Sequence, residues 1–180
     1  RADYERAGEA LLEGGVTAYQ PTFITASEAA ILDALAEVPE TPQVIGVHLE
    51  GPFLSPDRLG THPAVHRCEP DPRLLERLLA PGGVTQVTLA PELHGSEALI
   101  VHARERGIVV AAGHTNANAA EAHAAFDLGV STVVHLFNAM RPLRSRDPGI
   151  AGVALTRRDV SVQLIVDGHH LADETVRLIW

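Results

Sequence analysis

Hydrophobic and polar positions divide the chain into two kinds of alternating segment. Short segments that are apolar at almost every position predict strands over residues 16–24, 44–49, 84–89, 108–112, 130–134 and 160–166. Segments that mix Ala and Leu with charged residues predict helices over 3–13, 26–38, 73–79, 96–106, 117–128, 150–156 and 172–180. Continuously apolar strands that alternate with helices are typical of a parallel sheet, so the pattern predicts an α/β fold.

Local signals mark where several of these helices begin and end. Thr25 and Glu28 fit a capping box, in which a hydroxyl and a carboxylate three residues later bind free backbone amides. Asp71 is predicted to cap the next helix, with Pro72 at its first position. Gly129 is predicted to end the helix over 117–128.

The polar residues at strand ends help to choose between two parallel architectures. Such residues follow four different strands of the predicted sheet: Glu50, His114, His135, and the pair Asp167 and His170. In a (β/α)₈ barrel the carboxyl ends of the strands converge on one mouth, whereas in a doubly wound open sheet they lie along a line. A barrel would bring these polar residues together in one site, so their positions favour the barrel. Because only about six βα units are present and the chain opens with a helix, we expect a barrel strand to be missing at each end.

Composition and charge narrow the function classes. A chain with 46% hydrophobic and 21% charged residues is typical of a folded globular domain and excludes a disordered one. Its net charge is −9 and its basic residues are scattered arginines, so nucleic acid is not expected as a partner. The single cysteine, Cys68, indicates a reducing compartment. No apolar run approaches the roughly 18 to 20 residues of a membrane span, so we expect a cytoplasmic protein without a membrane partner.

Glu50, His114 and His135 form the candidate chemical site. Two imidazoles and a carboxylate supply three ligands and leave a coordination position open for water, as a catalytic Zn²⁺ site requires. Each histidine alone is also compatible with a structural role. Glu50 favours the metal site, because a carboxylate after an apolar strand is costly to bury without a cation or donors. His48 points to the same side of its strand, but we expect it to support the site or the core rather than to bind metal.

Three arginines lie just before the predicted helix over 150–156, in a chain that is otherwise acidic. They are Arg141, Arg144 and Arg146. A solvated loop explains Arg141 and Arg144, whereas an arginine beside a helix start is also suited to bind a phosphate.

Six motifs in this order resemble those of the N-acetylglucosamine-6-phosphate deacetylases in the amidohydrolase superfamily. They occupy residues 48–54 (HLEGPFL), 60–62 (GTH), 112–116 (AGHTN), 135–140 (HLFNAM), 146–152 (RDPGIAG) and 167–170 (DGHH). The resemblance covers nearly the whole chain. It implies a metal-dependent amidohydrolase barrel that converts N-acetylglucosamine 6-phosphate to glucosamine 6-phosphate and acetate in amino-sugar catabolism.

The resemblance also implies roles for individual residues. Glu50, His114 and His135 match the ligands of a divalent ion, with Zn²⁺ expected and Fe²⁺ the alternative. His62 matches the catalytic, substrate-binding histidine that polarises the acetyl carbonyl. The remaining matches are to substrate-binding positions: the amides of Asn138 and Ala139 and the side chain of Arg146 for the phosphate, and His170 for the sugar.

Other features of the resemblance concern partners and parts that this sequence does not match. Arg146 matches an arginine that serves a neighbouring subunit, so a homodimer is expected of the full-length enzyme, with a small amino-sugar phosphate as its ligand. An upstream His-x-His strand, a small β-sandwich domain and the general-base Asp, expected beyond Trp180, have no match in residues 1–180. We therefore interpret residues 1–180 as a partial catalytic barrel that is inactive alone. Two rival interpretations are another amidohydrolase, such as a cyclic amidase or deaminase, and a non-catalytic sugar-phosphate-binding module.

Overall fold

One six-stranded sheet organises the computed structural model, which describes residues 2–180. Its strands are β1 (Thr22–Ile24), β2 (Val47–Glu50), β3 (Val84–Leu89), β4 (Val109–Ala112), β5 (Thr132–Val133) and β6 (Ser161–Val162). All neighbouring strands are parallel, and their order in the sheet is their order in the chain. The predicted parallel α/β fold is therefore confirmed.

The strand order distinguishes the two architectures considered above. A doubly wound sheet reverses its order at a switch point, and the six described strands show no such reversal. Right-handed crossovers that always advance in one direction place their helices on one face of the sheet. This arrangement is that of a barrel wall with an outer layer of helices.

Seven helices connect and follow the strands in the described part of the chain. They are α1 (Ala2–Glu13), α2 (Glu28–Ala36), α3 (Pro72–Leu79), α4 (Ser96–Glu105), α5 (Ala119–Leu128), α6 (Gly149–Thr156) and α7 (Asp173–Ile179). From α2 to α6 each helix contacts the next, as expected for neighbours in one layer. Two 3₁₀ turns, Pro56–Arg58 and Ala64–His66, lie in the long loop after β2. Within residues 2–180 no helix combines the length and apolarity needed to cross a membrane.

The core lies between the sheet and the helix layer. In β2, Val47 and Leu49 belong to this core. Successive side chains of a strand point to opposite faces, so His48 and Glu50 lie on the other face, which is the interior of the barrel. The alternation in β2 thus places apolar residues under the helices and polar residues toward the site.

The predicted capping box at Thr25 is wrong. Ser27 caps α2, and its hydroxyl accepts a hydrogen bond from the amide of Ala30 at 3.3 Å. Thr25 lies directly after β1 and is 1% exposed, and its hydroxyl oxygen is 3.2 Å from the backbone oxygen of Glu50 and 2.9 Å from His62 Nδ1. Contacts at the end of the sheet therefore determine the conformation of Thr25. Ser27, the next residue with a hydroxyl, caps α2 instead.

Several element boundaries also differ from those predicted, among them the starts of β1 and α5 and the length of β6, which covers only Ser161–Val162. The first strand begins at Thr22, and residue 19 forms only an isolated bridge upstream of it. Pro21 has no amide to donate to a ladder, which limits the strand on that side. Helix α5 begins at Ala119 because Asn118 and Glu121 form a complete capping box. The predicted cap at Asp71 and the helix end at Gly129 are confirmed.

Candidate metal centre

Glu50, His114 and His135 meet at the carboxyl end of the sheet. Glu50 ends β2, and each histidine lies two residues beyond the end of its strand, β4 or β5. Glu50 Oε1 is 2.9 Å from His135 Nε2 and 3.2 Å from His114 Nε2. The two Nε2 atoms are 3.1 Å apart. The three residues each direct one potential ligand atom to the same point, and these atoms lie within 4.8 Å of one another.

Hydrogen bonds on the far side of each ring fix which nitrogen faces the site. His114 Nδ1 is 2.9 Å from the backbone oxygen of Arg58, and His135 Nδ1 is 3.1 Å from that of Asn138. A carbonyl oxygen only accepts, so each Nδ1 donates its proton and leaves Nε2 with a free lone pair. This is the tautomer of metal-binding histidines whose outer nitrogen is anchored by a carbonyl.

The charge of the site matches a cation. Burial raises the pKa of Glu50, but hydrogen bonds from the three imidazoles, which require a proton on the nitrogen that faces the carboxylate, outweigh that effect and hold the pKa below its ordinary range. Glu50 is therefore a carboxylate at neutral pH. A carboxylate and two imidazole lone pairs at this separation repel one another unless a proton or a metal ion lies between them, so the residues fit a divalent cation.

The two histidines among the metal-ligand candidates both have a backbone conformation that is uncommon for residues other than glycine. The φ angle is +46° at His114 and +32° at His135, in the left-handed region that favours glycine. Such conformations cost on the order of 1–3 kcal/mol each and concentrate at functional sites. Their occurrence at both predicted ligands supports a site that depends on the direction of these two side chains.

His62 lies beside the cluster and presents a proton donor to it. Its Nδ1 accepts a hydrogen bond from the backbone amide of Thr25 at 3.2 Å, so the ring proton resides on Nε2. Nε2 is 3.5 Å from Glu50 Oε2, and the side chain is 1% exposed. Sequence reasoning found His62 only through its motif and missed Thr25, whose hydroxyl is also 2.9 Å from His62 Nδ1.

His48 is excluded as a ligand by its hydrogen bonds. Its Nδ1 pairs with the hydroxyl of Thr22 at 3.1 Å and its Nε2 with that of Thr88 at 2.7 Å. Burial lowers the pKa of His48 to about 4, so the ring is neutral at physiological pH. His48 is therefore a buried, hydrogen-bonded residue of the barrel interior and not a ligand, in line with the prediction that it supports the site or the core.

The predicted phosphate residues are in the loop between β5 and α6. The amide of Asn138 already donates to the backbone oxygen of His135 at 2.9 Å, whereas that of Ala139 has no acceptor within residues 2–180. Arg146 is exposed and forms no ion pair with another described residue. Arg141, in contrast, binds Asp147 through two nitrogens, and this ion pair raises the pKa of Arg141.

His170 is not in contact with the cluster in this structure. It is exposed in the segment after β6, where its Nδ1 lies 2.8 Å from Asp167 Oδ2. Backbone amides of His169 and His170 also donate to Asp167 and, with the His170 ring, lower its pKa to about 2.

Glu92 is a further residue that the sequence reasoning missed. It follows β3 and hydrogen bonds with Thr115 and the amide of Asn116, directly after His114. The signal that could have found it is the one that found Glu50, a carboxylate just beyond an apolar strand.

The fold and the site define the chain as a member of a known class. The amidohydrolase family is matched over residues 1–179, so the chain belongs to that family. Within it, the chain resembles deacetylases of amino-sugar phosphates. A solved N-acetyl-D-glucosamine-6-phosphate deacetylase from Mycobacterium smegmatis superimposes with a TM-score of 0.86 at 39% identity, over 91% of this chain and 44% of that chain. The corresponding structure from Thermotoga maritima gives 0.86 at 35% identity, over 98% and 50%.

Curated relatives give a consistent result. N-acetylglucosamine-6-phosphate deacetylase of Danio rerio is 35% identical over 93% of this chain and 45% of its own length. N-acetylgalactosamine-6-phosphate deacetylase of Escherichia coli O157:H7 is 36% identical over 87% of this chain and 44% of its own. The chain thus spans about half the length of the relatives it matches. The similarity to solved deacetylases confirms the predicted barrel of the amidohydrolase type, of which six βα units are described here.

Proposed function

We propose that the protein carrying this chain hydrolyses the acetamido group of N-acetylglucosamine 6-phosphate, giving glucosamine 6-phosphate and acetate. The observation that carries the proposal is the convergence of Glu50, His114 and His135, with the Nε2 proton of His62 directed at the same point. Relatives with 35% identity that are named as deacetylases of this sugar support the choice of substrate.

The three ligands would hold one divalent ion, with Zn²⁺ the first candidate and Fe²⁺ the alternative. Such an ion, when bound, polarises a carbonyl and lowers the pKa of water to about 7. Glu50 offsets part of its charge, while the carbonyl oxygens behind His114 and His135 keep each Nε2 directed inward.

His62 would act on the acetyl group of the substrate. As the carbonyl carbon becomes tetrahedral, negative charge develops on its oxygen, and a preformed donor stabilises that charge. The His62 ring is already fixed by the Thr25 amide, so Nε2–H requires little reorganisation to donate. The family resemblance assigns proton transfer from water to an Asp beyond Trp180, and this remains a prediction.

Phosphate recognition is assigned to the loop between β5 and α6. The free amide of Ala139 and the guanidinium of Arg146 are the available donors, and Asn138 would need to exchange its bond to His135 to contribute an amide. Because Arg146 is exposed, its guanidinium is accessible to the site of a second copy, the arrangement that the family resemblance implies. His170 would approach the sugar only after its pairing with Asp167 changes.

The galactosamine epimer is the second candidate substrate. The relative named for N-acetylgalactosamine 6-phosphate is as similar to this chain as several relatives named for the glucosamine compound. A cyclic amidase or deaminase would share the metal site, but the relatives from Danio rerio and Escherichia coli O157:H7 are both named as deacetylases of amino-sugar phosphates, which favours a deacetylase. A binding module without catalysis would not need the strained ligand geometry of His114 and His135.

Acetate release by the full-length protein tests this proposal. The Zn²⁺-loaded protein is assayed with N-acetylglucosamine 6-phosphate, its galactosamine epimer and unphosphorylated N-acetylglucosamine. We expect the highest kcat/KM for the first compound, much lower values for the unphosphorylated sugar, and loss of turnover in Glu50→Gln. Absence of acetate release from all three compounds by metal-loaded protein would overturn the proposal, and preference for the epimer would support the second candidate.

A further inference from the structure

Glu92 binds the turn that follows the metal-ligand candidate His114. Its half-buried carboxylate lies in the loop between β3 and α4. Oε2 accepts a hydrogen bond from the hydroxyl of Thr115 at 2.5 Å, and Oε1 accepts one from the amide of Asn116 at 2.6 Å. Both oxygens of Glu92 are therefore directed at the two residues that come directly after His114.

Thr115 depends on Glu92 because its other hydrogen-bonding groups are already engaged. Thr115 is fully buried, and its amide donates to Ala139 while its carbonyl accepts from Arg141. Its hydroxyl oxygen accepts from the amide of Ala117 at 3.0 Å, so the hydroxyl proton goes to Glu92. A buried hydroxyl donor is costly to leave without an acceptor, and a charged acceptor makes a strong hydrogen bond.

Arg58 contacts both His114 and Asn116. Its backbone oxygen accepts the Nδ1 proton of His114, and its guanidinium donates to Asn116 Oδ1 at 3.1 and 3.3 Å. Asn116 is thus held by Glu92 through its backbone and by Arg58 through its side chain. Gly113 and His114 lie between β4 and these attachments, and the backbone of His114 is in the left-handed region.

We propose that Glu92 is a positioning residue that holds the His114 imidazole in the orientation required for metal binding, acting through Thr115 and Asn116. The inference rests on the metal site of the proposed function. A left-handed backbone at His114 relaxes when neighbouring contacts no longer determine it. Removing Glu92 releases both contacts at once, and His114 Nε2 then loses its fixed direction toward Glu50. Partners outside the ligand shell typically change metal affinity by about 10- to 100-fold.

The test measures Zn²⁺ affinity in the full-length protein without substrate. The dissociation constant is determined by competition with a chromophoric chelator for the unsubstituted protein, Glu92→Ala, Glu92→Gln and the control Glu105→Ala. Glu105 is exposed in the last turn of α4, so its removal changes the charge by the same amount away from the site. The visible absorption of the Co²⁺-loaded proteins reports ligand geometry, and thermal unfolding of the metal-free proteins reports stability.

We expect Glu92→Ala to weaken Zn²⁺ binding by about 10- to 100-fold and to alter the Co²⁺ spectrum. Glu92→Gln should weaken Zn²⁺ binding less than Glu92→Ala, because its amide oxygen can still accept from either the Thr115 hydroxyl or the Asn116 amide, whereas alanine accepts from neither. Glu105→Ala should leave the affinity and the spectrum unchanged.

Unchanged Zn²⁺ affinity and Co²⁺ spectrum in Glu92→Ala would overturn the inference, even if that variant unfolds at a lower temperature. Should Glu92→Ala fail to fold, Thr115→Val takes its place, since it removes the same hydroxyl bond and is predicted to weaken binding in the same direction. Normal affinity in Thr115→Val would then overturn the inference. Failure of the unsubstituted protein to bind Zn²⁺ would overturn the proposed function as well, which distinguishes the two results.

Discussion

Replacement of His62 by Ala is the perturbation that separates a proton donor from a metal ligand. The ring performs two functions in this structure. Nδ1 accepts the amide proton of the buried Thr25, and Nε2–H faces the site at 3.5 Å from Glu50 Oε2. Because Nε2 carries the proton, His62 has no lone pair to offer a metal ion, whereas His114 and His135 do.

The structure sets the expected size of two separate effects. Loss of one preorganised donor to a developing oxyanion typically raises the barrier by about 2.7–4 kcal/mol, a decrease in kcat of about 10²- to 10³-fold. Loss of the Nδ1 acceptor leaves the buried Thr25 amide without a partner, which costs about 1–3 kcal/mol of the free energy of unfolding. Zn²⁺ content should stay the same, since none of the three ligands is changed.

The assay combines kcat for N-acetylglucosamine 6-phosphate with Zn²⁺ content per chain and the free energy of unfolding, all on full-length protein. We expect a large decrease in kcat at unchanged metal content. A decrease in activity that parallels a loss of Zn²⁺ would mean that His62 is a ligand. A kcat within threefold of the unsubstituted value would show that its Nε2 proton does not stabilise the transition state.

Three further predictions test other parts of the account. Arg146→Ala should raise KM for the phosphorylated sugar far more than for the unphosphorylated one, with Arg144→Ala as the control from the same loop; equal effects on both sugars would refute the assignment. Thr25→Val removes the hydroxyl but keeps the amide that binds His62, so kcat should decrease by less than tenfold at unchanged Zn²⁺ content, and a complete loss of activity would contradict this division of roles. Asn118→Ala removes the α5 cap and should lower the free energy of unfolding by about 0.5–2 kcal/mol in denaturant titrations; no change would show that Glu121 alone suffices.

The metal ligands could be predicted from the sequence because strand order and strand ends are encoded locally. Apolar segments locate the strands, and parallel strands bring their carboxyl ends to one edge. Glu50, His114 and His135 each follow such a segment, so their meeting requires no knowledge of distant contacts. The same argument favours the barrel, and the sequential strand order together with the similarity to solved deacetylases confirms it.

Residues whose role depends on distant partners could not be placed in this way. Thr25 and Ser27 both carry a hydroxyl suitable for a cap, and the choice between them follows from contacts of Thr25 with Glu50 and His62, which lie 25 and 37 residues away. Glu92 acquires its role only when Thr115 is brought beside it, 23 residues along the chain. Arg146 is exposed, so neither packing nor an ion pair in the described chain determines where its guanidinium points.

The central claim is that Glu50, His114 and His135 bind one divalent ion together, and calorimetric titration of metal-free full-length protein with Zn²⁺ tests it most directly. We expect His114→Ala and His135→Ala each to abolish or strongly weaken the binding of one ion per chain. His102→Ala, which changes a histidine paired with Glu76 on the surface, should bind Zn²⁺ as the unsubstituted protein does. Zn²⁺ binding with the same stoichiometry and affinity in His114→Ala and His135→Ala would contradict the account.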